Sequence, residues 1–177
     1  MLSRLQSITL VGIDAVSCEV EVNVASRGFA TPIIVGLPDT AVKESIERIR
    51  TAITNCGYEP PANRTVINLA PADIRKEGPD LDLPIALGML FAADGALPEA
   101  AARYVIAGEL ALDGRTRPIK GALAMAMLAK KDGYRASSSP AKTPMKPPSW
   151  MGSTSFPSAH SPTPSAFSTS SSPSSRQ

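Results

Sequence analysis

The sequence predicts an α+β domain over residues 1–135, a mixed α/β sandwich with one sheet covered by two or three helices. Three stretches carry that prediction. Val16, Cys18, Val20, Val22 and Val24 alternate with Ser17, Glu19, Glu21 and Asn23, the period of a strand with one buried and one wet face. Val42, Ile46, Ile49 and Ile53 recur at helical spacing, opposite Lys43, Glu44, Glu47, Arg48 and Arg50. Asn68 to Leu90 runs from an apolar strand through a charged turn at Arg75–Pro79 into a helix with almost no polar face. A loop mounted this way on rigid elements is the usual seat of function.

Taken in order, Ser7–Ile13 and Val16–Val24 read as two strands, and the short link Asp14-Ala15 makes them an antiparallel hairpin. Pro32–Val35 is a third strand, ended by Gly36-Leu37-Pro38. Asp39 or Thr40 then caps the first helix, with Lys43–Glu47 and Glu44–Arg48 as i,i+4 ion pairs on its outer face. Gly57 supplies the left-handed stop and Pro60-Pro61 forbids continuation. Arg64–Leu69 is a fourth strand. Pro84 is tolerated only in a first helical turn, which places the start of the apolar helix at Leu81–Leu83. Arg103–Ala107 is a fifth strand, and Leu110–Thr116 is a strand edge with a turn at Asp113-Gly114. Pro118 opens the last helix, whose apolar stripe is Leu123, Met127 and Leu128.

Charge limits the partners. The overall +2 hides an asymmetry, because residues 1–135 hold fifteen basic and all sixteen acidic side chains, a net charge of −1. No global basic field argues for nucleic acid. Cys18 and Cys56, with no C-x-x-C, are expected to be two buried thiols. The N-terminus lacks a signal-peptide pattern and no run reaches a membrane span, so a cytoplasmic protein with no membrane partner is expected.

Composition breaks after Arg135. The 42 residues 136–177 contain 15 Ser, 8 Pro and no acidic side chain, a low-complexity composition unable to form a core. Met145 and Trp150 each have a single codon. One permitted spelling of residues 142–152, read one base earlier, encodes N-A-N-E-A-A-V-V-D-G, a capped helical segment. The stretch from about residue 136 is therefore read as an out-of-frame translation, the alternative being a genuine disordered Ser/Pro-rich tail over residues 136–177. His160, the only histidine, falls inside it.

Four blocks carry a resemblance: L-x-G-I-D-A-x-x-x-x-V-E-V at Leu10–Val22, I-V-G-L-P-D-T-A-V-K-E-S at Ile34–Ser45, N-L-A-P-A-D-I-R-K-E-G-P-D-L-D-L-P-I-A-L-G at Asn68–Gly88, and G-E-L-A-L-D-G-R-T-R-P-I-K-G at Gly108–Gly121. They resemble the N-terminal domain of the magnesium-chelatase-like AAA+ ATPases, the YifB/ComM competence-protein family. The resemblance implies a fold similar to the Lon protease catalytic domain and to ribosomal protein S5 domain 2, here incomplete at the C-terminus. It implies an AAA+ motor as partner, a homo-hexameric ring and, for ComM, DNA branch migration in natural transformation. ATP and Mg²⁺ would belong to that motor alone. No G-x-x-x-x-G-K-[ST] occurs in the chain, so the phosphate cradle is missing. Gly36, Pro38, Asp39, Gly78, Pro79, Gly108, Glu109 and Gly114 are the block residues expected to hold the backbone.

In Lon-type proteases a K-D-G-P-S-A-G loop presents the nucleophilic serine, and a lysine at a later helix start activates it. The matching loop here is Lys76-Glu77-Gly78-Pro79-Asp80, so Asp80 occupies the nucleophile position. Pro118–Leu123 puts Leu123 where the base belongs, and Lys120 lies three positions early. The expectation is a domain without catalytic residues, without a Ser–Lys dyad. Asp80 and Asp82, at a helix start, read as carboxylates complementing the helix dipole rather than as a metal pair. Arg75 and Lys76, with Arg115, Arg117 and Lys120, are candidate contacts for DNA or a neighbouring subunit. The leading function is an accessory or assembly domain of the AAA+ motor. The alternatives are a stand-alone S5-like nucleic-acid-binding module and a residual Lon-like hydrolase.

Overall fold

A computed structural model describes residues 1–29 and 31–137; the Ser/Pro-rich stretch beyond Ser137 and its frame reading lie outside the described residues. The first two strands are longer than their patterns suggest. β1 (Leu2–Val11) and β2 (Asp14–Phe29) pair antiparallel through a turn at Gly12-Ile13 rather than at Asp14-Ala15, because Asp14 and Ala15 already pair with Val11 and Leu10. β3 (Ile33–Val35) lies parallel to β4 (Asn63–Ala70), which pairs antiparallel with β2. β5 (Tyr104–Ile106) and β8 (Arg135–Ser137) continue the sheet in parallel beside β1, giving the order β3-β4-β2-β1-β5-β8. β6 (Glu109–Leu110) and β7 (Thr116–Arg117) form a separate small hairpin around the expected turn.

Two helices cover one face. α1 (Thr40–Asn55) buries Val42, Ile46, Ile49 and Ile53 as its spacing requires, and Asp39 caps it with 2.7 Å from the Val42 N–H to Oδ1. α2 (Asp82–Asp94) is buried nearly all round and ends at Gly95. These helices close over Cys18, Val20, Val22 and Val24 of β2 and Ile67 and Leu69 of β4. The approach of α2 is close: a Cβ on Gly88 would stand 2.6 Å from Val22 Cγ2. Ser3 Oγ donates to the Gly88 carbonyl at 2.8 Å, tying β1 to the same helix.

α3 (Ala122–Lys131) packs on the opposite face, against Ile8, Val105 and Ala107. Here the expected stripe of Leu123, Met127 and Leu128 holds only for Leu128, which is half-buried against that cluster. Met125 and Ala129 face the sheet, while Leu123 and Met127 point to solvent at 76% and 66% exposure. The helix starts at Ala122 rather than Pro118. Two other expectations also change. Arg48 leaves Glu44 for Asp82 on α2, since a buried carboxylate attracts a cation more strongly than an exposed one. Cys18 is buried, but Cys56, at the end of α1, is only half-buried. Burial pushes the Cys18 thiol up to about 11, and the nearby Lys76 charge opposes that shift. Among the described residues no helix is long and apolar enough to cross a membrane.

Candidate functional site

The loop from Pro71 to Asp82 is fastened at both ends by α1. Gly36 opens the connection, because a Cβ there would lie 2.1 Å from the Leu69 carbonyl oxygen. That contact lets the segment after β3 run beside the loop. Pro38 and Lys76 form a parallel bridge. The Lys76 N–H donates to the Leu37 carbonyl at 3.2 Å, and the Asp39 N–H donates to the Lys76 carbonyl at 3.0 Å. The two Asp39 oxygens then do different work: Oδ1 caps α1, and Oδ2 accepts from the Gly78 N–H at 3.3 Å. Gly78 meets nothing within 4 Å and is required only for its positive φ of 80°.

The second fastening is ionic. Arg48 of α1 reaches Asp82 with both Nε (2.6 Å to Oδ2) and Nη2 (3.0 Å to Oδ1), and the Leu110 N–H donates to Oδ2 at 3.1 Å. Asp82 is 1% exposed. Burial pushes its carboxyl above the ordinary value, against the pull of Arg48 and the Leu110 N–H. The same contact holds the Arg48 guanidinium charged still more firmly. Neither acidic residue at this helix start caps it: the N-cap is Leu81, with no side-chain hydrogen bond. Asp82 sits in the first turn, where its charge suits the dipole, but its partner is Arg48.

Asp80 stands beside this pair. Its carbonyl accepts from the Gly108 N–H at 2.7 Å, and the Leu83 N–H donates to the Gly108 carbonyl at 2.9 Å. This pairing brings the hairpin of β6 and β7 against the loop, and a Cβ on Gly108 would crowd Leu83 at 3.2 Å. The Asp80 carboxyl is raised by burial and by the charges of Glu109 and Asp82, while Lys120 lowers it. So Lys120 comes near Asp80 although it lies outside α3, and Leu123 points away from the site into solvent. Glu109 is taken by Arg117 at 3.1 Å. Among the described residues no three His, Cys, Asp or Glu side chains converge to hold a metal.

A raised carboxyl means that folded Asp80 takes up a proton that the unfolded chain does not, so its contribution to stability falls as pH rises through that window. Asp80→Asn is therefore expected to raise the melting temperature at about pH 7, with the gain disappearing near about pH 3.5. Thermal melts at both values decide it. A gain that is the same at both would disprove the titration.

The basic candidates separate. Lys76 is 0% exposed, with its Nζ donating to the Pro71 carbonyl, so it cannot touch DNA or another subunit from this fold. That corrects the expectation for Lys76: of the two basic residues of this turn only Arg75 is on the surface, paired with the equally exposed Glu77 at 3.4 Å. Arg115 pairs with Asp113 at 2.7 Å and Arg117 with Glu109, around the buried Gly114. Lys120 remains exposed. The Arg48–Asp82 link is what the sequence reading missed. Its signal was Asp82 between Leu81 and Leu83 in a stretch bound for the core, where a carboxylate must find a cation.

A family described as subunit ChlI of Mg-chelatase matches residues 20–142, a span that includes the capped α1, the clamped loop and the β6–β7 hairpin. The chain belongs to the magnesium-chelatase-like YifB/ComM family. It is 44% identical over 134 residues to the uncharacterized protein YifB of Escherichia coli K12, a match covering 76% of this chain and 26% of that one. A Mycobacterium tuberculosis H37Rv protein is 39% identical over 135 residues, covering 76% and 27%. The competence protein ComM of Haemophilus influenzae is 38% identical over 132 residues, covering 73% and 25%. The chain spans about a quarter of the length of these YifB/ComM relatives.

Proposed function

We propose that residues 1–135 are a non-catalytic accessory domain that supports assembly of a magnesium-chelatase-like AAA+ motor in the cytoplasm, and that the stretch from about residue 136 is out of frame. The observation that carries the reading is the clamped loop itself. Asp80 stands in the Lon-type nucleophile position, Leu123 is turned away, and Asp39 and Arg48 fix both sides of the loop to α1. A loop held so firmly serves as a rigid platform. ATP is not placed here: the chain has no G-x-x-x-x-G-K-[ST], and the first turn of α2, the helix that follows the glycine turn, holds Asp82 buried against Arg48. ATP and Mg²⁺ are assigned to the motor.

Assembly is preferred over DNA positioning because Arg75, Arg115 and Arg117 are each neutralised by a neighbouring carboxylate and Lys76 is buried. ComM bears the name of a competence protein, and a DNA-linked role is carried over here only through the motor. The test mixes the purified chain with casein, with ATP and with a fluorescent oligonucleotide. No turnover and no salt-sensitive binding is the expected result. Peptide cleavage abolished by Asp80→Ala would replace the reading with a residual hydrolase. Oligonucleotide binding that weakens steeply with salt would replace it with a nucleic-acid module.

A further inference from the structure

β2 runs from Asp14 to Phe29, a span of at most about 50 Å, and its two ends carry different surfaces. At the first end stands the turn Gly12-Ile13. Gly12 supplies the positive φ, 66°, that a two-residue hairpin turn needs. The place after it ordinarily goes to Asn, Asp or Ser. Here it holds Ile13, 90% exposed, beside the exposed Val11. Nothing in the turn or the core calls for that apolar side chain. The charges around it are mostly acidic: Asp14 and Asp73 are exposed and form no ion pair among the described residues, and Glu77 shares Arg75. Asp73 and Glu77 line a cleft together with Leu10 and Val11.

The far end of β2 has the opposite sign. Phe29 is 88% exposed at a cleft of about 520 Å³ whose walls include Pro32, Glu47 and Arg50. Arg27 lies two residues before Phe29, and Arg64 follows Asn63, the β4 partner of Phe29. Among the described residues Arg27, Arg50 and Arg64 form no ion pair, so three cations stand against the single carboxylate of Glu47. An aliphatic tip with acidic flanks at one end thus matches an apolar cleft with basic flanks at the other. Two like ends repel and two unlike ends attract, which favours a head-to-tail contact over an isologous one. We propose that copies of this chain associate end to end, with Ile13 of one seated beside Phe29 of the next. Asp14 and Asp73 then face Arg27 and Arg64 across the contact. Each copy keeps one end of either kind, so the contact continues into a ring or an open chain. The proposal rests on the assembly reading above and gives it a surface.

The experiment swaps charges in the 177-residue chain and reads association by sedimentation. One variant carries Asp14→Lys with Asp73→Lys, the other Arg27→Glu with Arg64→Glu. All four positions are exposed, so each variant should melt within about 2 °C of the parent. The parent is expected to grow beyond a dimer as its concentration rises, and to associate less as salt is added. Each variant alone presents two ends of one sign and should associate at least about tenfold more weakly. Mixed together, the two should return to within about threefold of the parent. Ile13→Ser tests the apolar half with every charge in place, and should weaken association at least about fivefold. A parent that is monomeric at every concentration overturns the contact and leaves the accessory reading standing. Growth that stops at a dimer, or folded variants whose mixture does not recover, overturns the pairing of unlike ends. Oligonucleotide binding that disappears with Arg27→Glu and Arg64→Glu overturns both the contact and the assembly reading, since the basic end then serves nucleic acid.

Discussion

Arg48→Ala is expected to destabilise the chain by roughly 3–5 kcal/mol at neutral pH, because it leaves the Asp82 carboxylate buried without its cation. The pair is bidentate, Asp82 is almost wholly inaccessible, and the one remaining donor would be the Leu110 N–H at 3.1 Å. The pH dependence has a definite sign. Burial already raises the Asp82 carboxyl, and losing Arg48 raises it further, so protonation relieves the variant as pH falls. The deficit should therefore be largest near about pH 7 and shrink towards about pH 4. Urea unfolding at the two values measures it. Arg48→Met with Asp82→Asn should recover most of the loss, since the amide oxygen can still accept from Leu110 and no charge is left buried. A single-variant loss below about 1 kcal/mol would show that the pair behaves like a surface ion pair.

Gly36→Ala should be worse tolerated than its size implies, with a loss of about 4 kcal/mol or more and poor soluble yield. Two effects coincide. The backbone sits at a φ of 95°, which an L side chain rarely adopts, and the new Cβ would lie 2.1 Å from the Leu69 carbonyl oxygen and 2.8 Å from its carbon. Both atoms are main chain in β4, which pairs with β3 on one side and β2 on the other, so neither can move aside cheaply. Gly57→Ala is the control. It shares a positive φ of 84° but meets nothing within 4 Å, so only the conformational term of about 1–2 kcal/mol remains. Equal losses for the two variants would remove the contact from the explanation.

Periodicity placed what depends on local order. The alternation of Val16–Val24 and the spacing of Val42, Ile46, Ile49 and Ile53 both survive in the fold, because one face of each element meets a single continuous core. α3 escaped that logic. With Leu123, Met125, Met127, Leu128 and four alanines in ten residues, it is apolar on several sides, so sequence offers no unique inward stripe. Only the contacts with Ile8, Val105 and Ala107 select Met125 and Ala129.

The same division runs through the site. The sequence by itself determined the order of elements through α3, a helix cap at Asp39 or Thr40 and the glycine turn at Gly78, since each follows from residue type at a fixed local spacing. The tertiary structure alone decided that Lys76 turns inward to the Pro71 carbonyl while Arg75 stays out. It also decided that Arg48 abandons its helical neighbour for Asp82, and that both sides of the loop are tied to α1. The physical reason is desolvation: whether a charge is exposed, neutralised or clamped depends on what packs over it, and those groups lie tens of residues away along the chain.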